Sequence, residues 1–156
     1  MFCLPENAKL VEALTPQAGG AITGDYVSMK GYHRCFVIVH IAQAHVAPVA
    51  ITLEKATAVA GTGHVAITSA VPIWANEDCA ATDTLVRQAD AVAFTTSAAQ
   101  KHKMIVFEVD PAAQGETFDC LTVITAGSDV TNITSAIYVL VPARYSQATP
   151  PTAITD

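Results

Sequence analysis

Met104-Ile105-Val106-Phe107-Glu108-Val109-Asp110 is the stretch on which the reading of this chain turns. Successive side chains of an extended strand point to opposite faces. Ile105, Phe107 and Val109 therefore share one face, with Glu108 and Asp110 on the other. Helical spacing would instead scatter these apolar residues around a cylinder, so the segment predicts a strand with one dry and one wet face.

The same grammar recurs outward in both directions. Short apolar or alternating runs, separated by Gly, Pro, Asn and Asp, occur at Tyr26–Lys30, Cys35–Ile41, Val49–Glu54, His64–Thr68, Pro72–Trp74, Thr84–Gln88, Val92–Thr95, Phe118–Ile124 and Ile137–Val141. Their spacing, near 8 to 12 residues, is that of all-β proteins. Ile51 and Leu53 oppose Thr52 and Glu54 in the same way. Cys35–Ile41 and Ile137–Val141 are apolar on both faces, which predicts strands covered on both sides by a second layer, an arm or another subunit. A closed barrel and a two-sheet sandwich both satisfy these signals. The assignment is all-β: an antiparallel, jelly-roll-like β-sandwich of about 8–10 strands with extended N- and C-terminal arms.

Only two segments have helical character. Leu10, Val11 and Leu14 suit two turns of helix over Ala8–Leu14 or, equally, an extended arm, and Glu54–Ala60 suits a turn or two before Gly61-Thr62-Gly63. Residues 15–25 read as a Gly-rich loop. The plan predicted is thus an N-terminal arm over 1–24, a β body over 25–141 and an extended C-terminal arm over 142–156, all in one domain.

Composition narrows the function classes. The chain of 156 residues is 51% hydrophobic but only 14% charged, where an ordinary globular protein carries about 25%. Such a surface suits burial against neighbours. A net charge of -6, with eight Lys and Arg dispersed along the chain, argues against nucleic acid, and the cluster Lys101-His102-Lys103 is too small for a phosphate groove. No run approaches the roughly 18 apolar residues of a membrane helix. The start, Met1 to Asn7, lacks a signal-peptide pattern, which predicts synthesis in a cytoplasm.

Motifs for chemistry are absent or poor. Cys3, Cys35, Cys79 and Cys120 have no paired spacing for zinc and are expected to be reduced and mostly buried. Glu77-Asp78, with Asp83 and Asp90, form the one dense acidic group, but adjacent strand residues diverge and Asn76-Glu77-Asp78 reads as a turn. "NEDCAATDTL" lacks the oxygen spacing of a calcium loop. His40 and His45 have no third ligand nearby in sequence, "GTG" at 61–63 reads as a turn, and the sequon Asn132-Ile133-Thr134 has no secretory context. No catalytic, cofactor or metal residue is assigned, and no small-molecule substrate is expected.

The C-terminal stretch "PARYSQATPPTAITD", residues 142–156, has a different character. Its prolines fix φ and bias their neighbours to extended backbone, and fifteen residues at about 3.1 Å each reach on the order of 40 Å. Arg144, Tyr145, Pro150, Pro151 and Ile154 are the candidate interface residues here, and Leu10 and Leu14 are those of the N-terminal segment.

"ITLEKATAVAGTGHVAI", "VPIWANEDCAATDTLVRQADAVAFTTSAAQKHKMIVFEVDPA", "FDCLTVITAGSDVTNITSAIYVL" and the ending just quoted together resemble small virion structural proteins of tailed bacteriophages, over about residues 25–156. The resemblance implies a non-enzymatic, β-rich protein on the phage head, a capsid cement or decoration protein. Its partners would be the major capsid protein and further copies of itself, as dimer or trimer, on the capsid surface after synthesis in the bacterial host. A head-tail junction or tail component is the alternative, followed by a host-surface or carbohydrate-binding sandwich, which the single tryptophan, Trp74, disfavours.

Overall fold

A computed structural model of the chain describes residues 4–143 and 149–155. One sheet is built from β1 (Lys9–Ala18), β4 (Tyr32–Ala42), β7 (Ile73–Asn76), β8 (Val86–Arg87), β10 (His102–Val109) and β12 (Ile133–Ala143), in the spatial order β1-β12-β4-β10-β7-β8. The other has β11 (Cys120–Thr125) and β5 (Ala50–Ala56) at its centre. β2 (Ile22–Thr23) and β3 (Val27–Ser28) lie end to end along β11, and β6 (Val65–Ala66) and β9 (Ala93–Thr95) end to end along β5. Every pairing is antiparallel.

The connectivity is that of a jelly roll. Counting β2/β3 and β6/β9 as one position each, the eight positions run β1-β12-β4-β10 in one sheet and β2/β3-β11-β5-β6/β9 in the other. Between β6 and β9 the chain leaves its sheet, lays β7 and β8 beyond β10, and returns. Two interlocked Greek keys close in this way around one core. That core takes the inward sets of the longer strands, including Cys35, Val37, Val39 and Ile41 of β4, Ile105, Phe107 and Val109 of β10, and Ile51 and Leu53 of β5.

Each of the ten runs read from sequence overlaps a strand, and the opening stretch lies within β10 up to Val109, with Asp110 capping the turn that follows. The N-terminal segment departs from expectation. Residues 9–18 are neither helix nor a free arm but an edge strand paired with β12, and Ala13 and Leu14 enter the core. The register slips between Glu12 and Leu14 and between Leu14 and Gln17, so the alternation that marks a strand is broken there. The 15–25 loop shrinks accordingly, since Thr15–Ala18 belong to β1 and Ile22–Thr23 to β2. The helical reading of Glu54–Ala60 is likewise replaced, by β5 up to Ala56 and then a turn in which Gly61 (φ 75°) and Gly63 (φ 64°) adopt left-handed backbone. Two short helical pieces carried no sequence signal: α1 (Leu4–Asn7) and a 3-10 turn at Pro111–Gln114, capped by the Asp110 side chain accepting from the Ala112 N–H.

The edge strand beside β11 is interrupted between Thr23 and Val27, and the Tyr138 hydroxyl from the opposite sheet enters the gap. It accepts from the Val123 N–H at 3.1 Å and donates to the Asp25 carbonyl at 2.9 Å. Thr122 completes the junction by donating to the Gly24 carbonyl at 2.6 Å. Burial pushes the Tyr138 phenol well above the ordinary tyrosine range. Tyr138→Phe should leave the buried Val123 N–H without its partner and cost about 2 kcal/mol. Urea unfolding followed by far-UV circular dichroism checks this; a loss under about 0.5 kcal/mol would mean that water replaces the hydroxyl.

Candidate interaction site

The C-terminal segment turns back onto its own body. Pro150 is buried, and Ala153 is fully buried and joins the core cluster. Two hydrogen bonds hold the backbone: the Ser28 N–H donates to the Ala153 carbonyl at 2.7 Å, and the Tyr32 hydroxyl donates to the Pro151 carbonyl at 2.5 Å. Pro151 also rides over Gly31, where an added Cβ would stand 3.2 Å from its Cγ. Burial raises the Tyr32 phenol above its ordinary value. Prolines suit such a segment because it is stitched by its carbonyls and by apolar contact, and needs few N–H donors.

Placement of the sequence-predicted residues follows from this. Arg144 and Tyr145 lie outside the described residues. Pro150 and Pro151 pack on this subunit, whereas Ile154 points away and is 63% exposed. The predicted boundary at Pro142 moves, because β12 runs on to Ala143, paired with Tyr32. Proline is tolerated there because β1 begins opposite Leu140 and has ended as a neighbour by Pro142, so no ladder donor is lost. Leu14 sits in this chain's own core at 4% exposure, while Leu10 is 46% exposed on the outer face of the six-stranded sheet.

Cross-strand register defines that outer face. One row runs Glu12, Ile137, Ile38, Val106, Trp74, Arg87 from edge to edge. A second runs Leu10, Val139, Phe36, Glu108, and a third Ser135, His40, Met104, Asn76. Apolar residues thus occupy the middle of the sheet on its solvent side as well as its core side. An ion pair of Arg34 with Glu108 (3.3 Å) and Asp110 (2.8 Å) bounds one end, and the stacked rings of His40 and His102, 6.0 Å apart, bound the other. The Arg87 guanidinium lies 4.8 Å over the Trp74 ring and pairs with Asp90. The two-sided apolar pattern of Cys35–Ile41 and Ile137–Val141 is real, but no described segment of this chain supplies the expected outer cover.

The acidic group at 77–78 is structural. Glu77 accepts from the Ser97 N–H (3.1 Å) and the Ser97 hydroxyl, and lies 3.4 Å from the Lys103 ammonium. Lys103, fully buried on the inward face of β10, also donates to the Ser97 carbonyl (2.7 Å) and Oγ (3.0 Å). Buried Gln43 and Thr96 extend the network, Gln43 donating to the Ser97 carbonyl and accepting from Thr96. Asp78 pairs with Lys101 at 2.5 Å, and that contact is the main cause holding its carboxyl below the ordinary aspartate range. Each carboxylate is thus tied to a lysine, and the two serve different neighbours.

The remaining candidates also separate. His45 sits near Asp129 (3.8 Å), whose carboxyl is lowered chiefly by the Thr131 hydroxyl and N–H; His40 is at the far-side stack described above. Asn132 of the sequon is buried, donating to the Ala47 carbonyl and accepting from the His45 N–H, so its amide is not available to a glycan. Cys35 and Cys120 are buried and Cys79 half-buried; burial raises the Cys35 and Cys79 thiols, and Cys3 lies outside the described residues. Among the described residues no three His, Cys, Asp or Glu converge, and no helix is long and apolar enough to cross a membrane.

No family model and no curated protein matches the chain. Among solved structures, the SPBc2 prophage-derived protein YomS aligns over 86% of this chain and 93% of its own, at 9% identity and a TM-score of 0.49. A Desmodium yellow mottle tymovirus chain aligns over 86% of each, at 12% identity and a TM-score of 0.18. Both TM-scores lie below 0.5, and the fold stands on its own strand pairing.

Proposed function

We propose that this chain is a non-enzymatic structural protein of a tailed-phage virion, a cement or decoration protein that binds coat-protein junctions on the head. The observation that carries the reading is the C-terminal strap: pinned at Ser28 and Tyr32, it presents Ile154 outward on ordered backbone. An apolar side chain held this way loses little further entropy on docking. The phage assignment rests on the sequence phrases quoted above, and the low charge density and jelly-roll body suit the role. A weak contact of this kind, repeated over a shell, holds by avidity.

Quantitative densitometry of purified virions tests the proposal, with copies expected in the hundreds per particle. A ring-like stoichiometry of about six or twelve would assign the protein to the head-tail junction or tail instead. In a companion assay, deleting residues 144–156 or introducing Ile154→Asp should abolish rebinding to stripped heads. Unchanged rebinding by both variants would remove the strap from the attachment surface.

A further inference from the structure

We propose that a second copy of this chain covers the outer face of the six-stranded sheet, forming a face-to-face dimer whose two-fold axis runs along the strands. The proposal does not depend on the virion assignment. Leu10, Ile137 and Ile133 on this face are 46%, 39% and 40% exposed, and Phe36, Ile38, Val106, Trp74, Met104 and Val139 between them all keep partial access to solvent. Contiguous apolar surface of this kind marks an interaction site.

Area and edges favour a sheet-sized partner docked by its face. Four strands of about eight residues, with the shorter β7 and β8 beside them, at about 4.8 Å between strands and about 3.3 Å per residue give a face on the order of 600 Å², near the roughly 800 Å² per partner of a stable interface. Strand addition is poorly served, because the β1 edge carries two register slips and Pro16, which has no N–H, and the opposite edge, β8, has two residues. The outer positions of the four-position sheet are each split into two short strands. Edges blunted in this way resist pairing with another chain.

Charge selects the symmetry. In the central row Glu12 stands at one edge and Arg87, whose guanidinium also pairs with Asp90, at the other, with Ile137, Ile38, Val106 and Trp74 between. A two-fold axis along the strands reverses the row, setting Glu12 against the other copy's Arg87, Ile137 against Trp74 and Ile38 against Val106. An axis across the strands would set Glu12 on Glu12 and Arg87 on Arg87. Isologous contact with aligned sheets is the common geometry of such packing.

Sedimentation equilibrium of the full chain over a concentration series tests this, with an expected mass of twice 16.3 kDa. Ile137→Glu is expected to return the mass to 16.3 kDa with unchanged far-UV circular dichroism, and Leu10→Glu, at the more exposed edge, to do the same should the first variant fold poorly. Glu12→Arg should weaken the dimer at least tenfold, and the exchange Glu12→Arg with Arg87→Glu should restore it. A monomeric or trimeric wild type, or a dimer indifferent to both single Glu variants, overturns the proposal. Failure of the charge exchange to restore association overturns the axis. A monomer whose head binding is lost with Ile137→Glu would give this face to coat protein instead, which also overturns it. None of these outcomes alters the virion copy number, so the two proposals fail separately.

Discussion

Glu77→Ala is expected to destabilise the fold by about 3 kcal/mol, more than Lys103→Met, which removes the other half of the same pair. The asymmetry follows from burial. Lys103 is fully buried and Glu77 retains 32% side-chain exposure. Removing the carboxylate strands an ammonium inside the sandwich with only the Ser97 carbonyl and hydroxyl as acceptors, and also strips the Ser97 N–H of its partner. Breaking a buried pair from this side costs about 3–5 kcal/mol, lowered here because water reaches Glu77. Removing the lysine leaves Glu77 in contact with solvent and with Ser97, while Gln43 still satisfies the Ser97 carbonyl at 2.9 Å. Methionine fills the volume, so that loss should stay below about 1.5 kcal/mol. Urea unfolding monitored by Trp74 fluorescence gives both values; a Lys103→Met loss equal to or greater than that of Glu77→Ala would show that the ammonium is not the stranded charge.

Ala153→Asp is expected to release the strap without unfolding the body. A carboxylate has no partner at that fully buried position, and expelling residues 149–155 into water costs less than burying the charge. What is lost is then the docking free energy. Two hydrogen bonds at about 1 kcal/mol each and the apolar burial of Pro150 and Ala153, about 1 to 2 kcal/mol, come to roughly 3 kcal/mol. Amide exchange should rise at Ser28, whose N–H loses the Ala153 carbonyl, and remain slow in β4 and β10. Slow exchange at Ser28 in the variant would show that the strap stays docked. Tyr32→Phe removes one of the two bonds and should give a partial effect of about 1 kcal/mol.

Much of the body was legible because strand signals are local. Alternation in Met104–Val109 and the two-sided apolar run Cys35–Ile41 read correctly from residue type alone. Two buried polar side chains that hold the sandwich together were legible in principle and missed. Lys103 shares parity with Ile105, Phe107 and Val109, which places it inward, yet within "KHK" it reads as surface charge. Tyr138 likewise shares parity with Ala136 and Leu140. What hid β1 is different in kind: its register slips break the alternation, and Pro16 within it argues against any strand. Leu10 and Leu14, grouped by helical spacing, end on opposite faces for that reason.

For the candidate site, residue type marked Arg144, Tyr145, Pro150, Pro151 and Ile154 as interface candidates on a C-terminal arm, but did not single out Ala153, which the structure buries against the body while Ile154 stays exposed. Which residue of an irregular segment faces the body depends on the surface it meets, here the turn at Ser28–Tyr32, more than a hundred residues earlier.

The sequence by itself determined the class, the positions of the strands from β3 onward and the excess of apolar residues on two central strands, since periodicity and composition are properties of neighbours along the chain. Only the tertiary structure decided the jelly-roll order, the gap that Tyr138 fills, the burial of Lys103 against Glu77 and the side on which the unpaired apolar face lies. Those depend on contacts between residues far apart in sequence, whose free energy exists only once the two sheets have closed on each other.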